Sequence, residues 1–413
     1  MGNQLFVDRR RGWISLIAGT AVTSVLGASY AYSAYRPSLE SIWNSSFLAS
    51  LPFSVFIVVF AFSSIIGGRF YAMKGIKSSV AISTLLVSSG LLLSSLIEYI
   101  PNPLYLIATY GVITGLGNGF GYIPVVALAR KWFPDKAGLA TGIVIFGYGG
   151  SALVFAPLKT ILLDLHGIST TFLTVGVISA ILGSIAYYLI GDPPVEVTNY
   201  FSSRRGIKAT VPKRELGPSE ILKTKEFWAL WLSFILVSTP GIMLIGHLKS
   251  FALSKGLNPI QAALAISVFS VLNAVGRPPA GWISDKMGKY GRPLTMTLFF
   301  SLQTILFTTL AMFDLEAIAL IIIIALAGFF YGSALALYPA LTGDFFGIKH
   351  LSNNYSLVFT GWGIAGLIAP SLGGYLVDIT GGYKVPLLVF SIFSLTGSII
   401  CLYLKKQLGN YLG

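Results

Sequence analysis

The sequence predicts an all-α integral membrane protein of twelve transmembrane helices in two similar six-helix halves, and three observations predict it. Hydrophobic residues fill 54% of the 413 positions while charged residues fill only 10%. The apolar residues fall into twelve runs long enough to cross a bilayer. Three local patterns recur at one fixed spacing. A soluble domain carries roughly a quarter charged residues, so most of this chain faces lipid or other helices.

A crossing helix needs about 20 apolar residues. Runs between charged or Pro/Gly-rich breaks place the first six spans near 13–35, 46–68, 78–98, 104–128, 137–159 and 170–190,. The second six fall near 226–249, 260–283, 293–313, 316–340, 353–377 and 384–404. Between the sets lies the longest polar stretch, with Pro193, Pro194, Arg204, Arg205, Lys208, Lys213 and Arg214. The expected organisation is a first bundle over 1–190, a cytoplasmic linker over 191–225 and a second bundle over 226–413. The first apolar run is too long for a signal-peptide core and lacks a small-residue cleavage pattern, so it counts as a span.

The two halves share a register. Gly68-Arg-Phe-Tyr-Ala72-Met-Lys-Gly75 follows span 2 and Gly281-Trp-Ile-Ser-Asp285-Lys-Met-Gly288 follows span 8, an offset of 213 from Gly68 to Gly281. Ala127-Leu-Ala-Arg-Lys-Trp-Phe133 and Ala340-Leu-Thr-Gly-Asp-Phe-Phe346 keep the same offset after spans 4 and 10. So do Gly150, Ala152, Ala156 and Pro157 against Gly363, Ala365, Ala369 and Pro370. A duplicated six-helix unit implies two bundles about a pseudo-two-fold axis, with a site between them near the bilayer midplane and alternating access by rocking.

The net charge of +13 is a topology signal rather than a nucleic-acid footprint. Basic residues cluster in alternate loops, at Arg9 to Arg11, Arg69, Lys74, Lys77, Arg130, Lys131, Lys136, the linker, Lys286, Lys289, Arg292, Lys405 and Lys406. The intervening loops hold only Arg36, Lys159, Lys249, Lys255 and Lys384. The positive-inside bias therefore puts both termini in the cytoplasm, with anionic lipid as the neighbour of the basic loops. The single cysteine, Cys401, excludes an intramolecular disulfide and reads as lipid-facing filler.

Arg277 is the one basic residue that falls clearly inside an expected span. An arginine there costs roughly 2.5–3.5 kcal/mol, so it marks a functional site by default. Asn273 lies one turn earlier on the same face, and Pro278 and Pro279 follow, where a kink is expected. A guanidinium fork matches a carboxylate, and no Asp or Glu falls securely inside a span to neutralise it. The competing reading is that Arg277, about five residues past the middle of its span, snorkels to the interface or binds loop carbonyls. Tyr32, Tyr122, Tyr148 and Tyr331 lie within spans beside small residues, where a phenol can donate to a carboxylate while its ring walls a pocket.

Other chemistry finds no support. Gly115, Gly117, Gly119 and Gly121 have no strand before them and point to close helix packing. There is no phosphate-binding G-x-x-x-x-G-K-(S/T), His166, His247 and His350 lack metal-ligand spacing, and no nucleophile motif is present. No catalytic residue, metal or cofactor is expected.

The pattern G-x-x-x-D-(R/K)-x-G, intact at Gly281–Gly288 and carrying Ala72 in place of the acid in the first copy, resembles the loop signature of the major facilitator superfamily. Within it, Gly117-Asn-Gly-Phe-Gly-Tyr122-Ile-Pro, Arg130-Lys-Trp-Phe-Pro-Asp-Lys-Ala-Gly138-Leu-Ala-Thr-Gly142, Asn273-x-x-Gly276-Arg277-Pro, Tyr331-Gly332 and Ala336-Leu-Tyr-Pro339 resemble the oxalate/formate antiporter family, which includes bacterial lactate transporters. The resemblance implies that Arg277 grips a substrate carboxylate with Asn273 beside it, that Tyr122, Tyr331 and Tyr32 are the aromatic contacts, and that Leu335 is an apolar wall. Oxalate exchangers of that family carry a second cation in helix 11, whereas Phe359-Thr-Gly-Trp362-Gly363 has none. One cation suits one carboxylate, since a second buried negative charge lacks compensation.

The expected function is secondary transport of small monocarboxylates such as lactate or pyruvate across the plasma membrane, as proton symport or anion exchange, by a monomer. The alternatives are another organic anion, as in oxalate/formate exchange, or a sugar-like solute with Arg277 structural.

Overall fold

The computed structural model describes residues 2–133, 137–194, 215–347 and 350–412. The expected linker bases Arg204, Arg205, Lys208, Lys213 and Arg214, with Lys136 and Lys349, lie outside the described residues. Among the described residues all regular structure is helical, and ten helices are long and apolar enough to cross a membrane. Two of these, Ser46–Glu98 and Ala140–Leu189, run to 53 and 50 residues, about twice what a crossing needs. Each is broken by a glycine at φ +77, Gly75 and Gly167, a left-handed conformation that a side chain would resist,. Each therefore holds two of the twelve spans. Gly288, the repeat equivalent of Gly75, also has φ +73, so the duplication is visible in the backbone.

The chain forms two units, Met1–Ala31 with Val55–Ala209 and Tyr32–Ser54 with Thr210–Gly413. In the first unit, helix Gly2–Leu26 packs on Gly115–Trp132, Ala137–Gly149 and Ala152–Leu189. Span 4 sits between spans 2 and 3 through its alternating glycines. A Cβ on Gly119 would collide with Ser63, and one on Gly121 with Ser83, so backbones approach closely there as small residues permit,. The turn at Gly75 lacks an acid at position 72, and Asp192 from the end of span 6 takes that place. It accepts the Tyr71 hydroxyl at 2.8 Å and the Ile76 N–H at 2.9 Å. In the second copy Arg292 bridges Asp285 and Asp344.

In the second unit, helix Lys225–Ser254 packs against Pro259–Val275, Ala317–Phe346, Leu351–Thr380 and Lys384–Leu412. Residues 32–54, expected with the first bundle, group here because their polar atoms bond to spans 7 and 11. Asp378 accepts the N–H groups of Ser46 at 2.7 Å and Phe47 at 3.0 Å, where the start of helix Ser46–Ser94 exposes unpaired donors,. Glu40 pairs with Arg36 at 3.0 Å and accepts Ser250 Oγ at 2.8 Å.

Three bases expected in loops are instead buried: Arg36, Lys159 and Lys249 are 0%, 1% and 5% exposed. The apolar run ending at Lys159 breaks at its first charge, yet the helix continues through it, so Arg277 is not alone among intramembrane bases. Cys401 is likewise buried beside Tyr338 rather than facing lipid. Exposed helix surfaces carry Ile66, Leu85, Ile181, Ile305 and Ile322, the apolar face a bilayer requires,.

Candidate functional site

Span 8 begins at a capping box, with Asn258 and Gln261 exchanging bonds of 2.9 and 3.0 Å, and runs as helix Pro259–Val275. It breaks at Gly276 and resumes as Arg277–Lys286. Pro278 and Pro279 have no N–H, so the carbonyls four residues back, Ala274 and Val275, lose their helical donors and the helix bends there. The bend puts Arg277 at the first position of the second piece, half-buried. Its Nη2 donates to Asn273 Oδ1 at 3.1 Å. Arg277 Nε and Asn273 Nδ2 are both buried without a hydrogen-bond partner. Arg36, Lys255 and Arg292 form ion pairs with carboxylates, and among the described residues Arg277 does not. A guanidinium with an amide for company and donors to spare suits an oxyanion.

Span 10 holds this constellation in place. A Cβ on Gly276 would strike the Phe329 carbonyl, one on Gly328 the Phe269 carbonyl, and one on Gly332 the Asn273 carbonyl. Three glycines thus bring the backbones of spans 8 and 10 together around Asn273. Gly332→Ala must push Asn273 and the guanidinium it orients out of line. We expect it to weaken anion binding about tenfold and lower Tm, as read from ligand-dependent melting curves, while Gly281→Ala, where a Cβ meets nothing, changes neither.

Tyr331 is fully buried, and its ring lies against Gly241 and stacks on Phe269 with centroids 6.3 Å apart. Its hydroxyl accepts the Trp362 indole N–H at 2.8 Å, and Trp362 stacks on Phe359 at 5.1 Å. Leu335, one turn beyond Tyr331 on the same helix, is half-buried.

The first unit holds a second aromatic cluster. Tyr148 is 4% exposed and its hydroxyl lies between Ser29 Oγ at 3.2 Å and Asn118 Oδ1 at 3.3 Å. Tyr122 meets Tyr148 edge-on at 4.9 Å and Phe60 at 5.7 Å. The Tyr32 hydroxyl donates to the Ala49 carbonyl at 2.6 Å and its ring stacks on Phe53. Sequence reasoning did not pick Ser29 or Asn118, and only the glycines flanking Asn118, which let span 4 pack closely, hint at it.

The sequence profile of the Major Facilitator Superfamily matches residues 16–324 and 289–409. The chain belongs to the Major Facilitator Superfamily. Among superfamily relatives it is 27% identical over 407 residues to the Oxalate:formate antiporter of Oxalobacter formigenes, covering 96% of this chain and 92% of that one. It is 28% identical over 350 residues to Monocarboxylate transporter 12 of Xenopus laevis, covering 79% and 73%. The crystal structure of a bacterial homolog to the human lysosomal transporter Spinster, described as inward-facing and occupied, superposes with a TM-score of 0.72 at 14% identity over 96% of each chain. As a superfamily member the chain is a multi-pass membrane transporter and not an enzyme.

Proposed function

We propose that this transporter exchanges small monocarboxylates, lactate- or pyruvate-like, across the plasma membrane, with Arg277 as the carboxylate clamp. The observation that carries the proposal is the half-buried guanidinium whose Nε has no partner and whose Nη2 meets only the Asn273 amide. Asn273 Nδ2 is a second donor for the same carboxylate. Tyr331 and Leu335 wall the apolar part of the solute, and Tyr122 and Tyr148 contact it where it passes the first unit. Tyr32, its hydroxyl already bonded to Ala49, supports the fold around that contact.

Exchange is favoured over proton symport because no carboxylate pairs with Arg277 among the described residues. An empty carrier then moves the Arg277 charge uncompensated through a low-dielectric region, whereas a bound carboxylate neutralises that charge. The protein works as a monomer with both termini in the cytoplasm. The 96% coverage by a relative named Oxalate:formate antiporter favours a second reading, exchange of a dicarboxylate. The indole of Trp362 beside Tyr331 speaks against a second anionic group there.

Proteoliposomes preloaded with lactate, formate, oxalate or buffer separate these readings. Labelled lactate should enter rapidly only against internal monocarboxylate, and a pH gradient should not replace it. Uptake driven by the pH gradient into empty vesicles would establish symport instead. Oxalate competing as well as lactate would establish the dicarboxylate reading.

A further inference from the structure

Span 1 is not one continuous α-helix. It runs as Gly2–Leu26 and then tightens into a 3-10 stretch, Gly27–Ala34, in which Ala31 leaves helical geometry at φ −96, ψ 27. A 3-10 turn bonds its carbonyls i to i+3 with poorer geometry than an α-helix, and at a kink their second lone pairs are open to a donor from within the protein,. The C-terminal end of a half-helix is also partially negative. In transporters, unwound carbonyls of this kind are where inorganic cations bind.

Here the position is taken by a side chain. Lys159 from span 5 is 1% exposed, and its ammonium donates to Ala28 O at 2.8 Å and Ala31 O at 3.4 Å. A cavity of about 10 Å³, roughly the room one water needs, adjoins it, with Ser29, Thr114, Asn118 and Lys159 among a largely apolar lining,. The residue after Ala28 is Ser29, whose hydroxyl meets that of Tyr148. The cation's hold on span 1 therefore extends to the aromatic cluster of the first unit.

We propose that the break in span 1 is a monovalent-cation site on the Ala28 and Ala31 carbonyls, kept filled by the tethered ammonium of Lys159. The carrier thereby takes no inorganic coupling cation at this place. The site is independent of which acid is carried, and its test does not use the transported solute.

Tm of the purified protein is measured in choline, sodium, potassium and ethylammonium chloride at equal concentration. The wild type should melt at one temperature in all four. Lys159→Ala opens the site, and its Tm should drop by several degrees in choline and recover most of the loss in ethylammonium, with partial recovery in sodium or potassium. Lys159→Met, which fills the volume without charge, should stay low in every salt, and it carries the test if the alanine variant does not accumulate. A Lys159→Met protein as stable as wild type, or a Lys159→Ala protein that no salt stabilises over choline, overturns the proposal. Sodium-dependent melting of the wild type would overturn it too.

Discussion

Arg277→Met should abolish measurable uptake of monocarboxylates and at the same time leave the protein as stable as wild type or more so. The first half follows from the pairing. Truncating one partner of a desolvated charge pair costs about 2–5 kcal/mol, which is roughly one and a half to three and a half orders of magnitude in affinity. The second half follows from the lack of a protein carboxylate at Arg277. Arg277 makes one hydrogen bond, to Asn273, while its Nε is buried and unpaired. Removing a half-desolvated charge that lacks a partner relieves a cost rather than breaking a bridge. Arg277→Lys keeps the charge but loses the planar fork, and should retain binding weakened about tenfold. Ligand-dependent Tm shifts give affinity and unliganded Tm gives stability in one experiment. A variant that loses stability but still transports would show that the guanidinium holds the helix bend together and leaves the cargo alone.

What was legible in the sequence tracks what is local. Arg277 stood out because one charge in an apolar run needs no tertiary knowledge to be odd, and the Pro278-Pro279 pair beside it marked the bend by chemistry alone. The glycines at Gly75 and Gly288 announced turns that the backbone makes at φ +77 and +73. The break in span 1 was invisible for the opposite reason. Gly27, Ala28, Ser29, Ala31 and Ala34 are ordinary residues of a packed helix, and what opens the helix there is compensated by Lys159, 131 residues away from Ala28. Lys159 reads as a loop residue in sequence because an apolar run is cut at its first charge, whereas the helix continues through it. Nothing local distinguishes a lysine that ends a helix from one whose ammonium turns inward to carbonyls.

The same limit explains Asp192 and Asp378. Each is a carboxylate at the end of a span, which by itself suggests a solvated helix end. Only the fold brings Asp192 to the Gly75 turn and Asp378 to the amides of Ser46 and Phe47. Tyr32 stands out by its small neighbours, and its hydroxyl is bonded to the Ala49 carbonyl. Small residues beside a tyrosine signal close approach, and close approach serves packing as readily as recognition.

Trp362→Lys should turn the transporter toward dicarboxylates. Trp362 is 3% exposed and donates its indole N–H to Tyr331, whose ring also stacks on Phe269 of span 8, the helix that carries Asn273. With the indole in place, a second carboxylate meets a neutral aromatic wall and pays its desolvation without an ionic partner, a penalty of several kcal/mol. Lysine is smaller than tryptophan, so the exchange both frees space and adds a cation that can pair with the second carboxylate as a point charge. The expected outcome is a shift of the oxalate-to-lactate preference of about two orders of magnitude, worth ~3 kcal/mol, gained partly through tighter oxalate and partly through lactate losing its apolar wall. Trp362→Met frees similar space without charge and should weaken lactate while leaving oxalate excluded. Competition of both acids against labelled lactate in counterflow reads the two effects separately. If the methionine variant admits oxalate as well as the lysine variant does, exclusion is steric and one cation suffices for two carboxylates. In that case Trp362 selects by volume, and the charge count at Arg277 no longer decides the cargo.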